Sequence, residues 1–351
     1  MDRKNIDMAY AAGVMDGDGS FGIGKLKTNA SPLYYPEMQL QNHDEGMIRK
    51  MIGLFGGNFI VGKLLKCKDG SFGKNRFRWK LRSSINVKPA LEELIPFLKI
   101  KKDRAEFLLK FCTEFTFKRG IPLSADLIAD RERHYIKMIQ YNDWKSFDNT
   151  ISAKLAKQNT SDLIFWSYIA GIMDTDGSFS IKRQNKNKGT SVIHPRYMPV
   201  ISLSMCDARA INYLRENCCL GKLYIPKNKS AMGGFHYQFG IYSREESIVF
   251  LKQIIPFLGF KKENAKQLLE FCEKYKATKH CILGISPEEL SFREDCYQKL
   301  IYLNKYGVVK SSLMDLKPLP GNAEGNKAQA GNEPCSVNVA SEKTSKDDAV
   351  L

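Results

Sequence analysis

Long hydrophobic runs are missing from this chain of 351 residues. No apolar stretch approaches the roughly 18–20 residues that a membrane-spanning helix requires. The opening Met1-Asp2-Arg3-Lys4-Asn5 does not lead into a leader-type hydrophobic segment, so membrane and secreted readings are set aside. The nine cysteines are an odd number without a C-x-x-C pair, and Cys218 and Cys219 are neighbours. That pattern supports neither a disulfide framework nor a zinc site. Free buried thiols in a reducing intracellular compartment are expected, an organelle matrix or stroma or a prokaryotic cytoplasm. Acidic residues are in deficit, 38 against 54 lysines and arginines, for a net charge of +16. The stretch from Asp315 onward is slightly acidic, which leaves the body more basic still. Such a body suggests a polyanionic partner, nucleic acid before anionic lipid.

What the chain does contain is a long internal repeat. Tyr10-Ala-Ala-Gly-Val-Met-Asp-Gly-Asp-Gly-Ser-Phe21 returns as Tyr168-Ile-Ala-Gly-Ile-Met-Asp-Thr-Asp-Gly-Ser-Phe179. Tyr35-Pro36-Glu-Met-Gln-Leu returns as Met198-Pro199-Val-Ile-Ser-Leu, and Ile95-Pro-Phe-Leu-Lys-Ile-Lys-Lys as Ile255-Pro-Phe-Leu-Gly-Phe-Lys-Lys. The offset stays between 158 and 163 and the order never changes. This is a tandem duplication. It predicts half-domains at 1–142 and 163–308, a polar linker at 143–162, and a disordered tail at 309–351 rich in Gly, Asn, Ser, Lys and Glu.

Each copy predicts an α+β unit with an antiparallel sheet. A helix (Asp7–Met15, Asp162–Met173) stops at a glycine-rich turn. Alternating segments follow at Ser20–Lys27, Glu37–Gln41, Phe59–Lys66 and Arg76–Arg82. Their partners are Ser178–Gln184, Val200–Ser204, Lys222–Pro226 and Phe235–Tyr242. Further helices are expected at Met47–Leu54, Val87–Ile95, Asp103–Thr116 and Ser124–Tyr141, each with a counterpart.

The repeated helix carries small residues on one face. Ala9, Ala12, Gly13 and Asp16 fall at i, i+3, i+4 and i+7, and Ser167, Ala170, Gly171 and Asp174 match them. Such a face lets two backbones approach closely, so the two copies are expected to pack together about a pseudo-twofold axis. Asp16, Asp18, Asp174 and Asp176 then sit at helix C-termini, where the dipole disfavours negative charge. Converging carboxylates raise one another's pKa unless a cation lies between them. A divalent cluster between Asp18 and Asp176, with oxygen ligands suited to Mg²⁺, is the economical explanation. An EF-hand is excluded, because its sixth position finds Phe21 or Phe179 and its twelfth Lys27 or Asn185.

Ala11-Ala-Gly-Val-Met-Asp-Gly-Asp-Gly19 and Ile169-Ala-Gly-Ile-Met-Asp-Thr-Asp-Gly177 resemble the paired motifs of the single-chain LAGLIDADG homing endonucleases, and the resemblance runs to about Asn304. It implies two α+β halves whose motif helices meet at the interface and whose antiparallel sheets form a saddle over DNA. It implies Asp18 and Asp176 as metal ligands, with the carbonyls of Gly17 and Thr175 nearby, and Lys101 and Lys261 as active-site lysines. The cofactor implied is Mg²⁺ or Mn²⁺. A polar residue late in the second strand, commonly Gln, lines each site in that family. Here the matching positions are Asn42 and Met205, and a thioether offers no useful donor.

The strands carry the DNA reading. Arg76, Arg78, Lys80 and Arg82 alternate with Phe77, Trp79 and Leu81, one set for a ligand and one for a core. Gln39, Gln41, Lys25 and Lys27 extend the first basic face; Lys182, Arg183, Gln184, Ser202, His236 and Gln238 form a weaker second one. A curved ribbon of this kind can follow a major groove and read base edges. His43 lacks the companions of a His-Asn-His nuclease. The expected activity is a metal-dependent, staggered double-strand cut in a long pseudo-palindromic DNA target by a monomer encoded within an intron. An intron RNA maturase, with the host intron RNA as partner, and a non-catalytic DNA-binding regulator on the same scaffold are the alternatives.

Overall fold

The computed structural model describes residues 3–28, 31–62, 76–115, 124–141, 163–184, 195–225, 236–274 and 285–306. The expected linker and tail lie outside them. The first copy runs α1 (Arg3–Gly17), β1 (Gly19–Leu26), β2 (Leu33–Asn42), α2 (Glu45–Phe55), β3 (Asn58–Val61), β4 (Phe77–Arg82), α3 (Ser84–Leu94), α4 (Lys102–Glu114) and α5 (Ala125–Tyr141). The second runs α6 (Leu163–Thr175), β5 (Gly177–Gln184), β6 (Arg196–Met205), α7 (Ala208–Cys218), β7 (Lys222–Tyr224), β8 (Tyr237–Ile241), α8 (Arg244–Ile254), α9 (Lys262–Lys274) and α10 (Pro287–Tyr306). Two antiparallel sheets result, ordered β1-β2-β4-β3 and β5-β6-β8-β7. The α+β class and the duplicated antiparallel architecture are as the repeat predicts. No helix among the described residues is long and apolar enough to cross a membrane.

Strand alternation sorts the side chains. Phe21, Ile23, Met38, Leu40, Trp79 and Leu81 face the helices and are buried, as are Phe179, Ile181, Ile201, Leu203, Phe239 and Ile241 in the second sheet. The long second strands begin earlier than expected, and their prolines explain how. Pro36 pairs with Ile23 of β1, but pairing with β4 starts only at Glu37. Pro199 pairs with Ile181, and pairing with β8 starts at Ile201. Each proline therefore lies beyond the last ladder that would need its missing N–H. The predicted end of the third strand, past Val61, falls partly outside the described residues.

Helices α1 and α6 form the spine. Residues Met8 to Asp16 and Phe165 to Asp174 are all buried, so these helices are covered on every side rather than along one stripe. Ser167 Oγ donates to the Ile6 carbonyl across the pair at 2.7 Å. A Cβ on Gly13 would stand 2.1 Å from the Tyr168 carbonyl oxygen, and one on Gly171 2.2 Å from that of Tyr10. Only glycine allows this approach.

Gly13→Ala or Gly171→Ala should thus destabilise the protein by at least about 1–3 kcal/mol, since the obstacle is partner backbone that cannot swing away. Gly53→Ala is the opposite case. Nothing lies within 4 Å of a Cβ there, in an exposed stretch of α2, and a gain of about 0.5–1 kcal/mol is expected from helix propensity. Denaturant unfolding of the three variants checks both signs.

Candidate active site

The four motif carboxylates do two different jobs. Asp16 is buried. Its Oδ2 accepts from the backbone N–H groups of Lys99 at 2.8 Å and Ile100 at 3.1 Å, and its Oδ1 from that of Lys101 at 2.8 Å. Asp174 repeats this with Gly259, Phe260 and Lys261 at 2.7, 3.2 and 2.8 Å. Each thereby satisfies orphan donors at the start of the following helix, α4 or α9. The fourth bond crosses the spine: Tyr168 donates to Asp16 at 2.8 Å and Tyr10 to Asp174 at 2.7 Å. Burial, together with the facing carboxylate, pushes both phenols well above the ordinary tyrosine value, so they remain donors. Of the two carboxylate pairs expected to converge, only Asp18 and Asp176 are left facing each other. Asp16 and Asp174 are already satisfied by protein.

Asp18 and Asp176 are the pair that keeps access to solvent, although the Asp176 carboxyl is set among protein atoms. Helical bonds persist to them, from the Asp18 N–H to the Val14 carbonyl and from the Asp176 N–H to that of Ile172. The two helix ends touch: a Cβ on Gly17 would lie 2.0 Å from Thr175 Oγ1 and 3.0 Å from Asp176 Oδ2. Withdrawal from water and then the charge of Asp18 push the Asp176 carboxyl up to about 6, against the pull of Lys101 and Lys261. Such a pair carries negative charge that the two lysines offset only in part. Among the described residues no cluster of three or more His, Cys, Asp or Glu gathers around a point. A cation here would be held by two carboxylates and carbonyl oxygens, a hard donor set suited to Mg²⁺ or Ca²⁺ with water and phosphate completing the shell.

The lysines sit differently from a free active-site ammonium. Lys101 Nζ donates to the carbonyls of Met15, Gly17 and Gly19 at 3.0, 2.7 and 2.7 Å. Lys261 Nζ donates to those of Met173, Thr175 and Gly177 at 3.0, 2.8 and 2.6 Å. All three protons of each ammonium are used, two on carbonyls of the helix end and one on that of the first residue of the following strand. Burial pulls Lys101 down to about 8, and lowers Lys261 as well. The Gly17 and Thr175 carbonyls are therefore shared with these lysines.

The second strands make the two halves unequal. Asn42 Nδ2 donates to Asp18 Oδ2 at 2.7 Å, while its carbonyl accepts from the Asp44 N–H at 2.8 Å. The register places Met205 at the equivalent point, paired with Tyr237 as Asn42 is with Phe77. Met205 is buried. It lines a cavity of about 290 Å³ with Lys101, Asp176, Ser204, Cys206 and His236. Cys206 Sγ lies 3.5 Å from His236 Nδ1. His236, grouped above with the strand face, thus belongs beside Asp176. Its position next to the strand end was visible in the sequence, but the turn that brings Cys206 to it was not.

The open sheet face gathers Gln39, Gln41, Arg78 and Lys80, with Arg82 at its end; Arg76 precedes β4 and is exposed. Glu37 stands among them, 3.3 Å from Lys80 Nζ and in contact with Arg82. In the second sheet Lys182, Gln184, Ser202 and Gln238 share the open face. Lys25 and Arg183 do not join these sets. They continue the Phe21–Ile23 and Phe179–Ile181 rows on the helix side, where Lys25 meets Glu132 of α5 at 2.7 Å and Arg183 meets Glu294 of α10 at 3.4 Å. Strand parity, counted from the buried aromatic, would have placed them correctly. Lys27 lies just beyond β1 and is exposed.

Asp16→Ala or Asp174→Ala strands three backbone donors and a buried tyrosine hydroxyl at about 1–3 kcal/mol per group. A loss of at least about 4 kcal/mol is expected in denaturant unfolding. Asp18→Asn and Asp176→Asn should leave metal-free stability unchanged or raised, because they relieve like-charge contact. Equal destabilisation by both classes of substitution would remove the distinction drawn here.

No protein-family model and no curated protein matches the chain by sequence. Solved structures do resemble it in three dimensions. The I-LtrWI LAGLIDADG homing endonuclease bound to target DNA aligns at a TM-score of 0.56 and 17% identity, over 85% of this chain and 98% of that one. The LAGLIDADG homing endonuclease I-GzeII in complex with its DNA target aligns at 0.58 and 14%, over 83% and 97%. I-SmaMI bound to an uncleaved DNA target in the presence of calcium ions aligns at 0.55 and 15%, again over 83% and 97%. The resemblance first visible in the two motifs extends to the whole described architecture: this chain has the LAGLIDADG homing endonuclease fold.

Proposed function

We propose that the protein is a divalent-metal-dependent endonuclease that makes a staggered double-strand cut in a long, pseudo-palindromic DNA target, acting as a monomer on half-domains 1–142 and 163–308. The observation that carries this reading is the convergence of Asp18 and Asp176 at the ends of the paired helices. The I-LtrWI, I-GzeII and I-SmaMI complexes contain DNA, which supports duplex DNA as the partner. The free thiols among the described residues accord with a reducing compartment.

Each part of the chain then has a task. The sheet faces dock the duplex through phosphates and base edges. Asp16 and Asp174 fix the helix ends, so that Asp18 and Asp176 project without rotating away. The buried lysines hold the peptide groups flanking each carboxylate and add positive charge beneath the scissile phosphates. Mg²⁺, when bound, would neutralise developing charge and acidify the attacking water. Asn42, oriented by the Asp44 N–H, keeps the Asp18 carboxylate in place and can hold a water beside it. At the matching point of the second half stands Met205, whose thioether cannot do this.

Asp18→Asn or Asp176→Asn should abolish double-strand cleavage and leave duplex binding nearly intact, measured by plasmid linearisation and by gel shift on the same preparation. A double variant that still linearises plasmid with Mg²⁺ would end the assignment of these residues.

The Asn42–Met205 difference predicts unequal strands. A missing well-oriented hydrogen bond raises a barrier by about 1–3 kcal/mol, or roughly 5- to 150-fold in rate. Supercoiled plasmid should therefore pass through a nicked form, with the strand served by Asp176 cut second. Met205→Gln should bring the two rates together. Equal strand rates without a nicked species would make Met205 irrelevant.

A further inference from the structure

We propose that Arg78 and Gln41 act as one donor-only unit that selects guanine, and that this pairing cancels the adenine preference Gln41 would have alone. The inference rests on the DNA reading above and specifies what the first sheet recognises.

Gln41 and Arg78 are directly opposite on β2 and β4, on the open face. Gln41 Oε1 accepts from Arg78 Nε at 3.2 Å and from Arg78 Nη2 at 2.6 Å. The amide orientation is dictated by chemistry. A guanidinium has only donors, so the oxygen and not the nitrogen must face it. Both lone pairs of that carbonyl are then engaged. What remains toward a ligand is the Gln41 amino group and the outer N–H groups of Arg78, every one a donor.

Base edges in the major groove answer such a set unequally. Guanine offers two adjacent acceptors, N7 and O6. Adenine sets its N6 donor beside N7, cytosine shows the N4 donor, and thymine has one acceptor next to a methyl group. An unpaired glutamine would instead take adenine, donating to N7 and accepting from N6. Gln41 has lost the accepting half of that contact.

Gln39 supplies an internal contrast. It lies two residues away on the same face, roughly 7 Å along the strand, and its Nε2 donates to Ser20 Oγ at 3.2 Å. That bond uses a donor, so the Gln39 carbonyl keeps its capacity to accept. Gln39 thus keeps the accepting group that Gln41 has given up to Arg78.

The test is iterated selection of the full chain on a randomised duplex library in calcium, followed by sequencing, for the wild type, Arg78→Met and Gln41→Leu. The wild type should enrich a guanine in one half-site, favoured by about 5- to 150-fold. Arg78→Met frees the Gln41 carbonyl and should convert that guanine to adenine while the rest of the selected sequence stays. Gln41→Leu should keep the guanine with a weaker preference, since Arg78 alone still donates to it. Log affinity against log salt should keep its slope in Arg78→Met, as expected for a base contact and not for a phosphate contact. A guanine unaffected by either substitution, or an adenine selected there by the wild type, overturns the inference and leaves the nuclease reading standing. Failure of all three proteins to enrich any sequence would overturn the DNA reading itself, and this inference with it.

Discussion

The close contact between α1 and α6 governs the remainder of the molecule. Backbone touches backbone at Gly13 and Gly171, and that approach puts Tyr10 within reach of Asp174 and Tyr168 within reach of Asp16. Each aspartate gathers backbone donors from the segment ahead of α4 or α9. The helix pair therefore locks the layer behind the sheets as well as itself. The positions of Asp18 and Asp176, two residues further on, follow from this clamp.

Electrostatics are arranged in two tiers around that clamp. Buried charge is answered within the protein: Asp16 and Asp174 by N–H groups and phenols, Lys101 and Lys261 by carbonyls. The outer tier, Asp18 and Asp176, is answered only in part, by the Asn42 amide on Asp18 and the charge of the two lysines, and withdrawal from water together with the charge of Asp18 keeps the Asp176 value raised. This division suits the cation proposed for Asp18 and Asp176, because a carboxylate already satisfied by the fold has little to offer a metal.

Much of this was legible in the residues, and the reasons can be named. Periodicity placed most helices and strands to within a few residues, since the buried rows of Phe21, Met38 and Trp79 recur at the spacing of two that a half-buried strand requires. The repeat placed the helix interface, because a small-residue face present twice must find itself. Distances in the fold were not legible. Nothing in the spacing of Asp16 and Asp18 says that the first is consumed by the N–H groups of residues 99–101, more than eighty positions away. Nor does it say that the ammonium of Lys101 ends on three carbonyls. Tyr10 and Tyr168 were in plain view at the head of each motif, six residues before the aspartate, yet each serves the aspartate of the other copy. Lys25 and Arg183 make a different point: their charge suggests the DNA face, whereas strand parity assigns them to the helix side.

The reciprocal tyrosine bonds have a consequence for how such a chain can change. A symmetrical assembly of identical copies would need one set of contacts to serve both the shared spine and both outer surfaces, so any alteration would appear twice. Joining the copies covalently separates these demands. The spine must stay self-complementary, and it has: Tyr, Ala-Gly, Met-Asp and the final Asp stand at matching places in both halves. The sheets are under no such obligation. Glu37, Gln39, Gln41 and Arg78 on one side face outward where Val200, Ser202, Ser204 and Gln238 do on the other. The two halves differ where a mismatch between them leaves the spine contacts untouched, so one shared axis carries two surfaces that can be altered independently.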